Sequence, residues 1–165
     1  MKVLVIGAGR MGAIRVEDLV ADKRVTEVII ANRNEQKGKE LADRFGASIR
    51  PWSEIETAEV DAVVVAVGTS AHQEVLEMVA PKSLAILCEK PIAPTIAGTL
   101  GAIELVEKNG STLQIGFQRR FDEPIKAMQQ KVASGEVGTI YALNMTAHDK
   151  TPSEKEFMAG SGGIF

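Results

Sequence analysis

At 165 residues, 45% of them hydrophobic, the chain has the length of one domain and enough apolar material for an ordinary core, which excludes a disordered polypeptide. Its formal charge of -3 leaves no basic field for nucleic acid, and no apolar run approaches the roughly 20 residues that span a bilayer, so neither nucleic acid nor membrane is an expected partner and a cytoplasmic setting is expected. The lone Cys88 excludes an intrachain disulfide, and His72 and His148 are too few and too dispersed for a zinc site.

The chain opens on a strand expected over residues 2–6, whose apolar run Val3 to Ile6 feeds directly into Gly7-Ala8-Gly9-Arg10-Met11-Gly12. A buried parallel strand reads as such a run, and the glycines divide the work of a phosphate-binding turn. Gly7 makes the tight turn, Gly9 lets main chain approach a pyrophosphate, and Gly12 lets the following helix pack close to the strand. A structural turn would carry the same glycines. The second strand, expected at residues 25–31, falls within the span of a βαβ unit and favours the dinucleotide reading.

Apolar runs then alternate with helical periodicity. A helix over 34–45 ends at Gly46, and a weak strand is expected near 48–50. A fourth strand spans 62–67, a helix with Val75, Leu76 and Val79 on one face spans 71–80 and stops at Pro81, and a fifth strand spans 84–88. A helix over 95–108 stops at Asn109-Gly110, and a sixth strand covers 112–116. This pattern predicts an α/β fold, a Rossmann-type doubly wound parallel sheet over residues 1–118. Residues 119–165 are expected to hold only the start of a second, α+β domain: a helix over 123–133, a strand from Thr139 to Met145, then a Ser- and Gly-rich loop over 149–165. A single begun strand lacks a hydrogen-bonding partner, so pairing across a homo-oligomer is expected there.

Ligands of open α/β sheets bind outside the carboxyl ends of the strands, where Glu89-Lys90-Pro91 follows the fifth strand. Lys90 there suits donation to a substrate oxygen or support of a nicotinamide; the same pair also reads as a solvated turn. At the end of the second strand, where an acidic residue would accept from the adenosine ribose, the chain has Asn32-Arg33, with Lys37 one helical turn onward. A guanidinium without a carboxylate favours a 2′-phosphate and hence NADP over NAD, while stacking of Arg33 on adenine would suit either. Thr69 and Ser70 either line the nicotinamide side or cap a loop; Trp52 packs over the sheet edge or stacks on adenine. His72 opens a helix, where imidazolium is disfavoured, so packing or capping is expected of it rather than base chemistry. His148-Asp149 reads as exposed charge, and Arg119 and Arg120 either steer substrate or brace the two regions.

Taken together in this order, Gly7 to Gly12, Asp61-Ala62-Val63-Val64-Val65-Ala66, Glu89-Lys90-Pro91 and Gly116-Phe117-Gln118-Arg119-Arg120-Phe121-Asp122 resemble the Gfo/Idh/MocA family of oxidoreductases; Ser161-Gly162-Gly163-Ile164-Phe165 is similar to a stretch of its inositol dehydrogenase-like members. The resemblance implies NAD(P)-dependent oxidation or reduction of a sugar, inositol or related polyol hydroxyl. It implies a catalytic Lys90, a cofactor held by Gly7, Gly9, Arg10, Met11, Gly12, Asn32, Arg33, Thr69, Glu89 and Lys90, and no metal. The family's aspartate and catalytic histidine follow the Gly-Gly-x-Phe stretch, so the chain reads as truncated and inactive by itself. A non-catalytic NADP(H)-binding or redox-sensing module is the alternative.

Overall fold

A computed structural model describes residues 1–82 and 84–148, together with Lys155 and Met158. It divides into two units, Met1–Gly116 and Phe117–Phe165.

In the first unit, β1 (Lys2–Ile6), β2 (Glu27–Ala31), β3 (Ser48–Ile49), β4 (Ala62–Val65), β5 (Ala85–Cys88) and β6 (Thr112–Ile115) form one parallel sheet in the order β3-β2-β1-β4-β5-β6. Helices α1 (Arg10–Ala21), α2 (Glu35–Phe45), α3 (His72–Val79) and α4 (Ile96–Lys108) connect them. Strand order reverses between β1 and β4, which makes the carboxyl ends of these two strands the topological switch point of a Rossmann sheet. Several strands are shorter than their apolar runs, because the main chain turns away after one further ladder bond: Ala66 N–H donates to Ile6 O at 2.8 Å and Gly116 N–H to Cys88 O at 2.8 Å.

The near-continuous apolar strands follow from burial on both faces. Leu4, Ile6, Val63, Val65, Ile86 and Cys88 point to one side, against Val75, Leu76 and Val79 of α3 and Ala102 and Val106 of α4. Their neighbours Val3, Val5, Val28, Ile30 and Val64 point to the other, against Val16 of α1 and Leu41 and Ala42 of α2. A strand sandwiched between helix layers has no solvent face, so the two-residue alternation chooses a layer rather than a polarity.

Local chemistry sets the helix ends. Asn34 Oδ1 accepts from Lys37 N–H at 3.0 Å at the start of α2, which stops at Gly46 with φ 67°. Thr95 Oγ1 accepts from Gly98 N–H at 3.1 Å and starts α4. By contrast, no side chain caps α1, whose N-cap is Gly9.

The second unit holds α5 (Glu123–Ala133), opened by Asp122 accepting from Ile125 N–H at 3.4 Å and with no buried residue. The strand expected from Thr139 to Met145 is not formed: residues 139–148 are irregular and exposed, with Tyr141 93% accessible. The alternation of polar and apolar residues is present, but a strand exists through hydrogen bonds to a neighbour, and no described strand runs beside this segment. The loop expected at 149–165 lies outside the described residues, apart from Lys155 and Met158, whose backbone is helical. The closing Gly-Gly-x-Phe motif and Asp149 also lie outside them.

Candidate cofactor site

The β1–α1 turn is built by steric necessity. Gly7 has φ +115°, and a Cβ there would lie 2.5 Å from Ala66 O; a Cβ on Gly12 would lie 1.9 Å from Gly7 O. Both positions admit no side chain, because the turn is pressed against the end of β4 and α1 is pressed against the turn. Gly9 differs: nothing lies within 4 Å of its would-be Cβ, so the missing side chain opens space. That opening leads onto the uncapped start of α1, where main-chain N–H groups and the helix dipole favour an anion.

A crevice of about 340 Å³ lies at this switch point, lined by Gly7, Ala8 and Gly9 from the turn, Asn32, Arg33 and Trp52 at one end, and Ala66, Val67, Gly68, Ser70 and Ala71 at the other. The structure thus brings Gly7, Gly9, Asn32 and Arg33 together. Arg10, Met11 and Gly12 follow as the first residues of α1, with Arg10 exposed and Gly12 buried. Thr69 begins a short 3₁₀ turn, Thr69–Ala71, whose Ser70 and Ala71 rather than Thr69 line the crevice.

Asn32 serves the turn as well as the crevice. Its Oδ1 accepts from Ala8 N–H at 3.0 Å, and its Nδ2 donates to Asn34 O at 2.8 Å, so the amide fastens the glycine turn to the end of β2. Arg33 extends over the Trp52 ring, with Cζ 4.9 Å from its centroid, and its Nη2 donates to Glu74 Oε2 of α3 in an ion pair. Trp52, from the short helix Trp52–Thr57, is therefore a wall of the crevice as well as packing for the core.

Glu89 and Lys90 diverge although they are adjacent. Glu89 is 6% exposed, and its Oε1 accepts from both Nε and Nη2 of Arg15 at 2.8 and 2.7 Å. Its Oε2 lies where a Cβ on Gly116 would come within 3.0 Å. The carboxylate is thus an internal anchor joining α1 to the ends of β5 and β6. Lys90 is exposed, and its peptide bond to Pro91 is cis. The chain enters Lys90 from the buried Cys88, whose thiol is pushed up to about 12 by burial and then by the Glu89 carboxylate, which makes it an inert apolar support.

His72 is 1% exposed; Nδ1 lies 2.9 Å from Pro91 O and Nε2 3.2 Å from Val67 O. Both ring nitrogens are turned to main-chain carbonyls, of which a neutral imidazole donates to one, so the side chain sits between the end of β4 and the Lys90-Pro91 segment and offers no nitrogen to a substrate. His148, Arg119 and Arg120 are exposed residues of the second unit. Among the described residues no cluster of His, Cys, Asp or Glu could hold a metal ion, and no helix is long and apolar enough to cross a membrane.

The positions of the glycine turn, of Asn32 after the second strand and of Lys90 after the fifth follow the sequence reading. Arg15 and Glu74 were not legible in it: each is a polar helix residue whose importance comes from a partner 74 and 41 residues away.

Comparison with known proteins agrees with this geometry. Residues 1–117 match the model of the Gfo/Idh/MocA oxidoreductases, described as an oxidoreductase family with an NAD-binding Rossmann fold. Myo-inositol 2-dehydrogenase of Thermotoga maritima is 33% identical over 168 aligned positions, covering 100% of this chain and 50% of that protein. The crystal structure of a myo-inositol dehydrogenase from Corynebacterium glutamicum superposes with a TM-score of 0.84 at 28% identity, covering 99% of this chain and 50% of that one. The structure of GenD2 from gentamicin A biosynthesis in complex with NAD gives a TM-score of 0.76 at 28% identity, over 82% of this chain and 40% of that one. The chain spans about half the length of the curated relatives it matches. With its nucleotide-type turn at the switch point and a family match running through the whole sheet, the chain belongs to the Gfo/Idh/MocA family of oxidoreductases.

Proposed function

We propose that this chain carries the cofactor domain of an NAD(P)-dependent dehydrogenase acting on the CH–OH group of an inositol, sugar or related polyol, with NADP preferred. The observation that carries the reading is the crevice at the β1/β4 switch point, open above Gly9 and ending at Arg33 with no acidic residue at the close of β2. The likeness to inositol dehydrogenases supports the substrate class.

The residues fit the nucleotide. Main chain at Gly9, Arg10 and Met11, at the start of α1, would hold the pyrophosphate, and Trp52 and Arg33 would border the adenosine. Ser70 and Thr69 would border the nicotinamide side. When bound, the nicotinamide supplies the hydride acceptor or donor. Lys90, at the rim of β5 beside β4, would donate from its ammonium to the reacting oxygen, held there by the buried Glu89 on one side and by His72 on Pro91 O on the other.

Fluorescence titration at fixed ionic strength should give an NADPH affinity roughly fivefold above that for NADH. Equal affinities would remove the preference for NADP; no binding of either would overturn the reading. For Lys90→Ala, we expect nucleotide affinity within about threefold of the parent, since Lys90 lies outside the crevice lining, together with loss of polyol-dependent NADP reduction when the same substitution is made in a form of the protein that turns over. Turnover that survives the substitution would take the lysine out of the chemistry.

A further inference from the structure

We propose that Glu74, on the first turn of α3, sets the nucleotide preference of this site by holding Arg33 and opposing the charge of a 2′-phosphate. The inference rests on the nucleotide reading above and deepens it.

In dinucleotide-binding sheets the ribose is read by the residue ending β2. Here that residue, Asn32, has its amide engaged on both sides, Oδ1 by Ala8 N–H and Nδ2 with Asn34 O. Recognition at this end therefore passes to Arg33, whose Cζ lies 4.9 Å from the Trp52 ring centroid and which is bound by the Glu74 carboxylate. The carboxylate absent from β2 is in effect supplied from α3, across the mouth of the crevice. Residues 70 and 71, just before α3, line the crevice, so the first turn of that helix stands beside it.

Two consequences follow for a ligand. One guanidinium edge is engaged: Nη2 donates one of its hydrogens to Glu74, which leaves a single edge for a phosphate. The site also carries a paired cation rather than a free one, because the Arg33 charge is met by a carboxylate before the ligand arrives. The side chains are 57% and 50% exposed, so the pair itself adds little to stability, and its effect falls on the ligand. Against a 2′-phosphate of charge near -2, removing one opposing unit charge at the separations of an adjacent ion pair is worth roughly five- to tenfold in affinity at low salt. NADH, with a hydroxyl in that place, lacks the charge on which Glu74 acts.

Glu74→Gln keeps the shape and a hydrogen bond to Arg33 while removing the charge. Titrated with NADPH and NADH at low ionic strength, it should raise the NADPH-to-NADH affinity ratio roughly fivefold over the parent, and the gain should shrink as salt is added. In an Arg33→Ala background the same substitution should give a smaller gain, since the part that runs through the guanidinium is lost while direct repulsion of the phosphate by the Glu74 charge remains. A ratio unaltered in Glu74→Gln, or a gain undiminished without Arg33, would overturn this inference while leaving nucleotide binding intact. Failure of the parent to bind either nucleotide would overturn the underlying reading, and this inference with it.

Discussion

Gly12→Ala should cost the protein both stability and nucleotide binding, whereas Gly9→Val should cost binding alone. The Cβ introduced at position 12 would sit 1.9 Å from Gly7 O, a main-chain atom that cannot rotate aside, and Gly7 is itself pinned against Ala66. Relief requires α1 to move off the sheet, so overpacking of about 2–3 kcal/mol is expected, a fall in Tm of roughly 6–10 °C. At position 9 the backbone has φ -81° and ψ -171°, extended geometry that valine adopts readily, and no atom lies within 4 Å of its Cβ. Its side chain would fill the space above the start of α1. We expect Tm to stay within about 2 °C of the parent and NADPH affinity to fall by about 100-fold or more. Calorimetric unfolding and fluorescence titration of the two variants separate the roles, and a Gly9→Val protein that binds as the parent does would remove the diphosphate from this loop.

The second large effect is expected at Arg15→Met. Glu89 is buried between α1 and the ends of β5 and β6, and both hydrogen bonds from Arg15 fall on its Oε1. Deleting the cation leaves a carboxylate whose side chain is 8% exposed without a counter-charge, at a cost of about 3 kcal/mol, toward the low end for buried pairs because the Arg15 side chain is 22% exposed. Pairing the substitution with Glu89→Gln should recover at least about half of that loss, since the penalty belongs to the orphaned charge rather than to the missing arginine. Urea unfolding of the parent, both single variants and the double variant measures the coupling. Strictly additive losses would mean that the two side chains act independently. The pair also bears on the site, because Glu89 is the anchor from which Lys90 projects.

These side chains mark where reading along the chain stops. Strands β1–β6, helices α1–α5 and the glycine turn follow from local rules: apolar runs, helical spacing, Asn34 and Thr95 as caps, Gly46 as a stop. The local rules also named Lys90, through its place after the fifth strand, and Asn32 and Arg33, through theirs after the second. They misjudged residues 139–145, where alternation satisfied the strand pattern but no neighbouring strand supplied hydrogen bonds.

The sequence by itself determined the sheet, its helical layers and the glycine turn between β1 and α1, because periodicity and glycine sterics act over a few residues. Only the tertiary structure decided what the polar side chains do there. Strand order 3-2-1-4-5-6 sets β1 between β2 and β4, and so lets Asn32 reach Ala8, Arg33 meet Glu74 over Trp52, and Arg15 neutralise Glu89. A charge or amide acquires its role from the partner that folding brings within hydrogen-bond distance, and sequence separation carries no record of that distance.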